Sequence, residues 1–398
     1  MEPEKRNPES QSPRAPSSTR PRIAHVITGL DPGGAQSSLC ALLAAIDDCD
    51  HRVLSLTGRE PFGSRIEALG IAVDHLELAQ VEGRSHRMTR ALGNLRRFRP
   101  DWIHCWLYHA DLFGAGLGWL LGARVLWHLH VSDLDTTKLK TATCAVIRAC
   151  TALSHVAPEH IVACSHASLR THRRLGYRRG VMRVIENGVD TERFRPRVGS
   201  QLRARWDIPK DAFVVGITAR DDPQKDIGTF VQAASLFRHQ RTDVHFVLSG
   251  TGLESQNLKL RADIKRLGLE GACSLLGFQS EVEALYPCFD IFSLSSVSEG
   301  LSMSLLEAMA CGVIPVVTDV GDSSRVVEGI GWTCPARDPQ ALAEQWMQAW
   351  TLSASERKQR RQAARHRVEE RYAIQSQADA FKCLYQRRER GKKSRPQP

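Results

Sequence analysis

Two glutamates, Glu299 and Glu307, stand eight positions apart in the stretch SEGLSMSLLEAMACG, residues 298–312. On a single helix that interval separates the two backbones by about 12 Å. Carboxylates that cooperate on one glycosidic bond sit closer, about 5 to 9.5 Å apart, so the spacing argues against an acid–base pair. Gly300 instead points to Glu299 lying in a loop before a helix, with Glu307 about two turns inside it. Each carboxylate would then address one end of an elongated ligand. Between them, the free N–H groups of Leu301, Ser302 and Met303 would form an anion site reinforced by the helix dipole. A ligand with hydroxyls at both ends and a diphosphate in the middle is a nucleotide sugar. Spacing alone equally allows an acidic first turn followed by a surface glutamate.

Other residues offer matching chemistry. Arg220 and Lys225 lie five apart in the polar loop that follows the apolar run DAFVVGITAR (211–220). Two cations there can neutralise a leaving diphosphate, although alone they read as surface charge. Gly33 and Gly34 open an Ala/Leu-rich helix and allow close approach of a ligand because they lack Cβ. In WHLHVSD, His128 and His130 fall on one face of a strand by alternation, and His130 is favoured as the one nearer the strand's C-terminal end.

These residues need a scaffold, and the chain supplies one in two series. Short apolar runs at 22–30, 51–58, 100–109 and 124–133 alternate with helical stretches, a parallel sheet covered on both faces. The pattern restarts with runs at 211–220, 244–252, 289–296 and 312–321. Asn187-Gly188 is a turn signal between the series, and a domain boundary is expected near 195–205. The expected division is a disordered tail over 1–21, a first α/β domain over 22–200, a second over 201–372, and a C-terminal helix with a basic tail over 373–398 that packs back toward the first domain. Two such units form a cleft, with ligands at the C-terminal ends of the strands.

In this order the segments resemble the retaining family 4 glycosyltransferases, which have the GT-B fold. SEGLSMSLLEAMACGVIPVVTDVG resembles their E-x7-E signature, and VIENGVDTERFRP is similar to their interdomain NGVD segment. GLDPGGAQ looks like their first Gly-Gly loop, ARDDPQKDIGTFVQA like their Arg-x4-Lys stretch, and LLGFQSEVEALY has the matching glycine before the nucleotide-base loop. The resemblance implies an α/β GT-B protein with two Rossmann-like domains facing each other across a cleft. It implies that Arg220 and Lys225 grip the donor diphosphate, Glu307 accepts from ribose hydroxyls, and Glu299 lies near the hydroxyls of the transferred sugar. Gly33 and Gly34 would approach the phosphates from the opposite domain, with a histidine (His130) near the donor sugar. Gly277 and Phe278 would border the base, with Gly300, Leu301, Ser302 and Met303 at the diphosphate. The implied reaction moves a hexosyl or N-acetylhexosaminyl group from a UDP-linked donor, with retention. The implied acceptor is a lipid-linked, polysaccharide or lipopolysaccharide precursor. No metal or other cofactor is expected, because the protein's own cations replace it.

Composition narrows the alternatives. The chain has 398 residues, a net charge of +10 and no apolar run of the roughly 18 residues a membrane helix needs. The eleven cysteines form no C-x-x-C pair, which fits a reducing compartment, and the polar N-terminus argues against a signal peptide. A cytoplasmic protein is expected. Two stretches, 83–100 and 170–183, each carry six arginines and no acid, which suits a polyanion and suggests peripheral contact with an anionic membrane. A nucleotide-sugar epimerase on the same fold and a nucleic-acid-binding protein are the competing readings; the latter lacks interleaved aromatics. The DLD triplet at 133–135 carries no weight, because chance supplies about one such triplet among 22 aspartates in this length.

Overall fold

A computed structural model describes residues 20–59, 61–132, 141–198 and 202–386. The DLD triplet and most of the two expected tails lie outside the described residues. The first sheet has seven parallel strands: β1 (Arg22–Ile27), β2 (Asp50–Ser55), β3 (Ala72–His75), β4 (Trp102–Trp106), β5 (Arg124–Leu129), β6 (His160–Ala163) and β7 (Met182–Val184). Their spatial order is β3-β2-β1-β4-β5-β6-β7. The second sheet has six: β8 (Phe213–Thr218), β9 (Val244–Ser249), β10 (Cys273–Gly277), β11 (Ile291–Leu294), β12 (Ile314–Thr318) and β13 (Trp332–Cys334), in the order β10-β9-β8-β11-β12-β13. The chain reverses direction across each sheet at β1/β4 and at β8/β11, where a crevice opens beyond the strand ends.

The eight long apolar runs became strands. Five further strands complete the sheets: β3 ends the stretch SRIEALGIAVDHLEL, which reads as helix, turn and short strand, while β6, β7, β10 and β13, three to five residues long, do not stand out as runs. Helices cover both faces of the first sheet. One layer, helices Arg84–Phe98, Tyr108–Leu121, Thr141–Leu153 and His166–Arg174, packs with Ile103, Cys105 and Trp127. The glycine-rich second helix of this layer lies hard against the sheet: a Cβ on Gly114 would stand 2.2 Å from Cys105 Sγ, and one on Gly118 2.2 Å from Val125 Cγ2. The opposite layer holds helix Gly34–Ala45 and the C-terminal helix Ile374–Gln386.

That C-terminal helix returns to the first sheet after helix Ala354–Arg371 has packed on the second domain. The return crosses the outgoing linker at Val189, whose N–H donates to the Tyr372 carbonyl (2.8 Å) and whose carbonyl accepts from Ile374 N–H (2.9 Å). Gly188 is required there, since a Cβ would lie 2.6 Å from Ile374 Cα. Phe381, Leu384 and Tyr385 then fill the core, with Trp102 Nε1 donating to the Tyr385 carbonyl at 3.1 Å. Phe381 has no exposed surface and packs on the rings of His104 and His128. Phe381→Ala is expected to cost about 3–5 kcal/mol, read as a lower denaturant midpoint for the first domain, and Phe381→Leu much less. Equal losses for the two variants would show that the ring is not packed as described.

Candidate functional site

A cleft of about 950 Å³ lies between the two sheets, lined by both domains. From the second domain, the loop after β8 contributes Thr218, Ala219, Arg220 and Lys225. The loop is tied down: Lys225 N–H donates to the Asp222 carbonyl (2.8 Å), and the Lys225 carbonyl accepts from Ser295 Oγ (2.8 Å). Gln224 O accepts from Val297 N–H at 2.8 Å. These bonds join the loop after β8 to the loop after β11, and so bring Lys225 to Glu299.

Lys225 Nζ lies 2.5 Å from Glu299 Oε1, which also accepts from Ser296 Oγ at 2.6 Å. The glutamate is nearly buried and the lysine partly so. The sequence reading put Lys225 on a diphosphate and Glu299 on sugar hydroxyls; in the structure the two form an ion pair. Arg220 is half exposed, with Asp222 at 3.7 Å. Both cations of the loop therefore have an acidic partner.

Ser302 caps helix Met303–Ala310, its hydroxyl accepting from Leu305 N–H. Glu299 lies before that cap and Glu307 inside the helix. Gly300, Leu301, Ser302 and Met303 line the cleft around the helix start. Glu307 also lines it, and its Oε2 accepts from the Tyr286 hydroxyl at 2.8 Å. Burial pushes the Glu307 carboxyl up to about 7, against opposing pulls from the Tyr286 hydroxyl and the Arg193 guanidinium.

From the first domain, Gly33 and Gly34 line the cleft at the start of helix Gly34–Ala45. A Cβ on Gly34 would stand 3.9 Å from Met303 Cγ, so this loop faces the start of the glutamate helix directly. His130, just past β5, lines the cleft. His128 does not: it is fully buried between the rings of Trp106 and Phe381, and burial lowers its affinity for a proton. The two imidazoles do share a face, with ring centroids 4.2 Å apart.

Phe278 lines the cleft, but Gly277 sits behind it. Gly277 has φ +62°, and its carbonyl accepts from Gly250 N–H (2.8 Å) and Ser249 Oγ (3.0 Å). It braces the turn after β9 and leaves the wall of the cleft to its neighbour. That turn, Ser249-Gly250-Thr251, belongs to the cleft and was not singled out from sequence. Gly250 is obligatory there, at φ +136° with a Cβ position 1.8 Å from the Ala219 carbonyl oxygen. The signal was present, in the Gly-turn closing VHFVLSGTG, but only the fold shows that β9 ends beside β8. Tyr286 and Arg193 are further lining residues; Arg193 pairs with Glu283 at 2.9 Å.

The domains are in contact around this site. A Cβ on Gly300 would come within 2.9 Å of the His130 carbonyl oxygen and 3.2 Å of Cys164 Sγ. The Ser132 hydroxyl donates to the Glu299 carbonyl, and Asn187 Nδ2 to the Leu301 carbonyl at 3.3 Å. The Asp322 carboxylate accepts from the N–H groups of His166 (2.8 Å) and Ala167 (2.9 Å), at the start of a first-domain helix.

Comparison with known proteins agrees with this architecture. Two family models match in tandem, Glycosyltransferase Family 4 over residues 32–193 and Glycosyl transferases group 1 over residues 200–367. The chain is 32% identical over 180 residues to D-inositol 3-phosphate glycosyltransferase of Salinispora tropica, a match taking in 40% of this chain and 37% of that protein. It is 28% identical over 149 residues to the Escherichia coli UDP-Gal:alpha-D-GlcNAc-diphosphoundecaprenol alpha-1,3-galactosyltransferase, covering 36% and 38% of the two. These matches span little more than a third of the length of either relative. In three dimensions the chain superposes on Anabaena HepE in complex with UDP-glucose with a TM-score of 0.80, at 22% identity, over 91% of this chain and 98% of that one. It superposes on sucrose-phosphate synthase of Thermosynechococcus elongatus with a TM-score of 0.74, at 17% identity, over 92% and 98%. Identities this low speak to the fold alone. With one model matching its first domain and the other its second, the chain belongs to the family 4 glycosyltransferases of GT-B fold.

Proposed function

We propose that the cleft transfers a hexosyl or N-acetylhexosaminyl group from a UDP-linked donor to an acceptor, with retention at the anomeric carbon. The observation that carries this is the gathering, in one interdomain cleft, of Arg220, Lys225, a capped helix start, Glu299 and Glu307. The helix start and the two cations suit a diphosphate. Glu307, two turns inside, suits ribose hydroxyls. Glu299, at the first-domain side, suits the hydroxyls of the sugar, with His130 across from it. The UDP and UDP-glucose bound in the HepE structures support the donor class.

No residue is placed as a nucleophile. In the proposed step the acceptor oxygen bonds to the anomeric carbon on the face from which the phosphate oxygen departs. The acceptor's proton passes to that departing phosphate, and the diphosphate leaves with the bonding pair. Arg220, Lys225 and the helix N–H groups stabilise the charge that builds on it. Metal is not required in this scheme.

The acceptor is proposed to be a lipid-linked or polysaccharide precursor, in keeping with the diphosphoundecaprenol named for one E. coli relative and the colanic acid biosynthesis named for another. Among the described residues no helix is long and apolar enough to cross a membrane. Peripheral contact is the proposed alternative. Helices Arg84–Phe98 and His166–Arg174 bring the first arginine-rich stretch and Arg170, Arg173 and Arg174 of the second onto one layer of the first domain, and the same layer exposes Trp119. Arginines and an exposed indole together suit an anionic interface.

Three outcomes are expected. Lys225→Ala should lower turnover of a UDP-sugar by about 100-fold or more, while EDTA leaves the wild-type rate unchanged; an almost unchanged rate for the variant would remove the lysine from the site. UDP affinity should fall as pH drops from 8 to 6, because a carboxyl held near 7 must be ionised to accept ribose hydroxyls, and below that value the proton competes. Calorimetry on Glu307→Gln should show weaker binding with that component of the pH dependence gone. Finally, the chain should co-sediment with anionic vesicles at low salt and dissociate at high salt; no binding at low salt overturns the membrane contact.

A further inference from the structure

A second cavity, of about 790 Å³, opens on the second domain where the interdomain linker, the end of the Glu307 helix and helix Ala354–Arg371 converge. The convergence is tight: a Cβ on Gly312, just past the Glu307 helix, would stand 3.5 Å from Pro196 of the linker and 3.6 Å from the Arg361 carbonyl oxygen. Five cations line this groove, Arg197, Arg357, Lys358, Arg361 and Arg365, against one carboxylate, Glu369. Arg357, Arg361 and Arg365 recur every fourth residue, a stripe along one helix face with a rise of about 6 Å per step. The floor is apolar, with Pro287, Phe289 and Val313.

The cations divide by what already satisfies them. Arg365 is committed to structure: Nη1 donates to the carbonyls of Thr191, Phe194 and Ala310 at 2.6–2.9 Å, and Nε donates to Glu369 at 2.6 Å. Arg361 spends Nη2 on the Phe289 carbonyl and Asp290, and Arg357 spends Nη2 on the carbonyls of Trp350 and Leu352. The Nε of each is buried without an acceptor. Arg197 and Lys358 are exposed at the rim, and neither has an ion-pair partner among the described residues. Burial disfavours the charge of Arg361, the Asp290 carboxylate offsets part of that, and the charges of Arg357 and Arg203 add to it. Like charges so crowded are relieved by a compact polyvalent anion, and guanidinium forks bind phosphoryl oxygens in pairs.

We propose that this groove is a second anion site, separate from the cleft, which takes a small phosphoryl compound (a phosphate monoester or a diphosphate) with Arg197 and Lys358 closing over it. The test uses inorganic pyrophosphate titrated by calorimetry into the full chain carrying Arg220→Ala and Lys225→Ala, so that the cleft keeps only its helix start for a diphosphate and the rim variants report on the groove. Saturable binding should persist there. Adding Arg197→Ala and Lys358→Ala should weaken it by roughly tenfold or more, the worth of one charge-assisted hydrogen bond, while Lys358→Arg restores it. Both rim residues are exposed, so an unchanged thermal midpoint will confirm that the variants are folded. No saturable binding in the cleft variant, or binding indifferent to the rim variants, overturns the site and leaves only solvated cations; either result leaves the reading of the cleft untouched.

Discussion

The Asp322 carboxylate caps a helix that belongs to the other domain. It is nearly buried, accepts the N–H groups of His166 and Ala167, and holds Arg325 at 3.0 Å. Arg325 in turn contacts Glu186 on the linker. A helix start has unsatisfied donors and a positive dipole end; Ser165 of the first domain accepts from the Ser168 N–H, and Asp322 of the second takes the two N–H groups before it. Together with the Ser132–Glu299 and Asn187–Leu301 hydrogen bonds, this interdomain contact holds the two walls of the cleft against each other. It fixes the segment that follows Gly321, whose Cβ position would lie 2.1 Å from the Glu299 carbonyl oxygen. Glu299 and Gly300 are thereby pressed against Ser132 and His130 of the first domain. The two glutamates of the second domain are thus placed relative to the first domain by contacts that neither of them makes through its carboxylate.

The fold was legible because it is written in runs and turns. Eight apolar runs gave the central strands of both sheets, and Asn187-Gly188 marked the crossover that Gly188 then permits sterically. Length alone did not decide which strands were legible, since β4, β11 and β12 are as short and stood out as buried apolar runs; the edge strands β7, β10 and β13 are only partly buried and carry a weaker pattern. In the site, the residues before and inside helix Met303–Ala310 were readable because one helix determines their spacing. Ser249, Gly250 and Thr251 were not, because their place in the cleft depends on β9 pairing beside β8. The choice between His128 and His130 could not come from alternation, which puts both on one face. It is made by the strand's end: β5 stops at Leu129, so His130 emerges into the cleft while His128 stays beneath the C-terminal helix.

That C-terminal helix explains a second feature of the first domain. His25, His104 and His128 lie in a row of ring contacts 5.1–5.4 Å apart, all fully buried and all disfavoured as cations by that burial. Phe381 and Tyr385 roof the row, and the Tyr385 hydroxyl meets His104 Nδ1 at 2.7 Å. Neutral imidazoles pack there as flat, weakly polar rings. Helix Ile374–Gln386 is therefore part of the wall behind His130, and the second domain's exit path through Tyr372 and Ala373 leads into the first domain's core.

The charges of the cleft impose a consistent selectivity. Lys225 is held by Glu299, Arg220 faces Asp222, and Arg193 is held by Glu283. A neutral sugar entering the cleft would have to compete with these pairs using hydroxyls alone, and breaking a partly buried pair leaves a charge uncompensated. A diphosphate brings its own charge, so Lys225 can leave Glu299 without being stranded, and the freed carboxylate gains hydrogen-bonding capacity beside the incoming hydroxyls. Under the proposed function, the ion pair would open to a ligand carrying both an anion and a sugar. Loss of either half of such a ligand would leave one member of the pair unpaired at a point where the Glu299 carboxylate is nearly buried. If the proposed donor is the ligand, the two residues would recognise it as a unit, with neither reading its part alone.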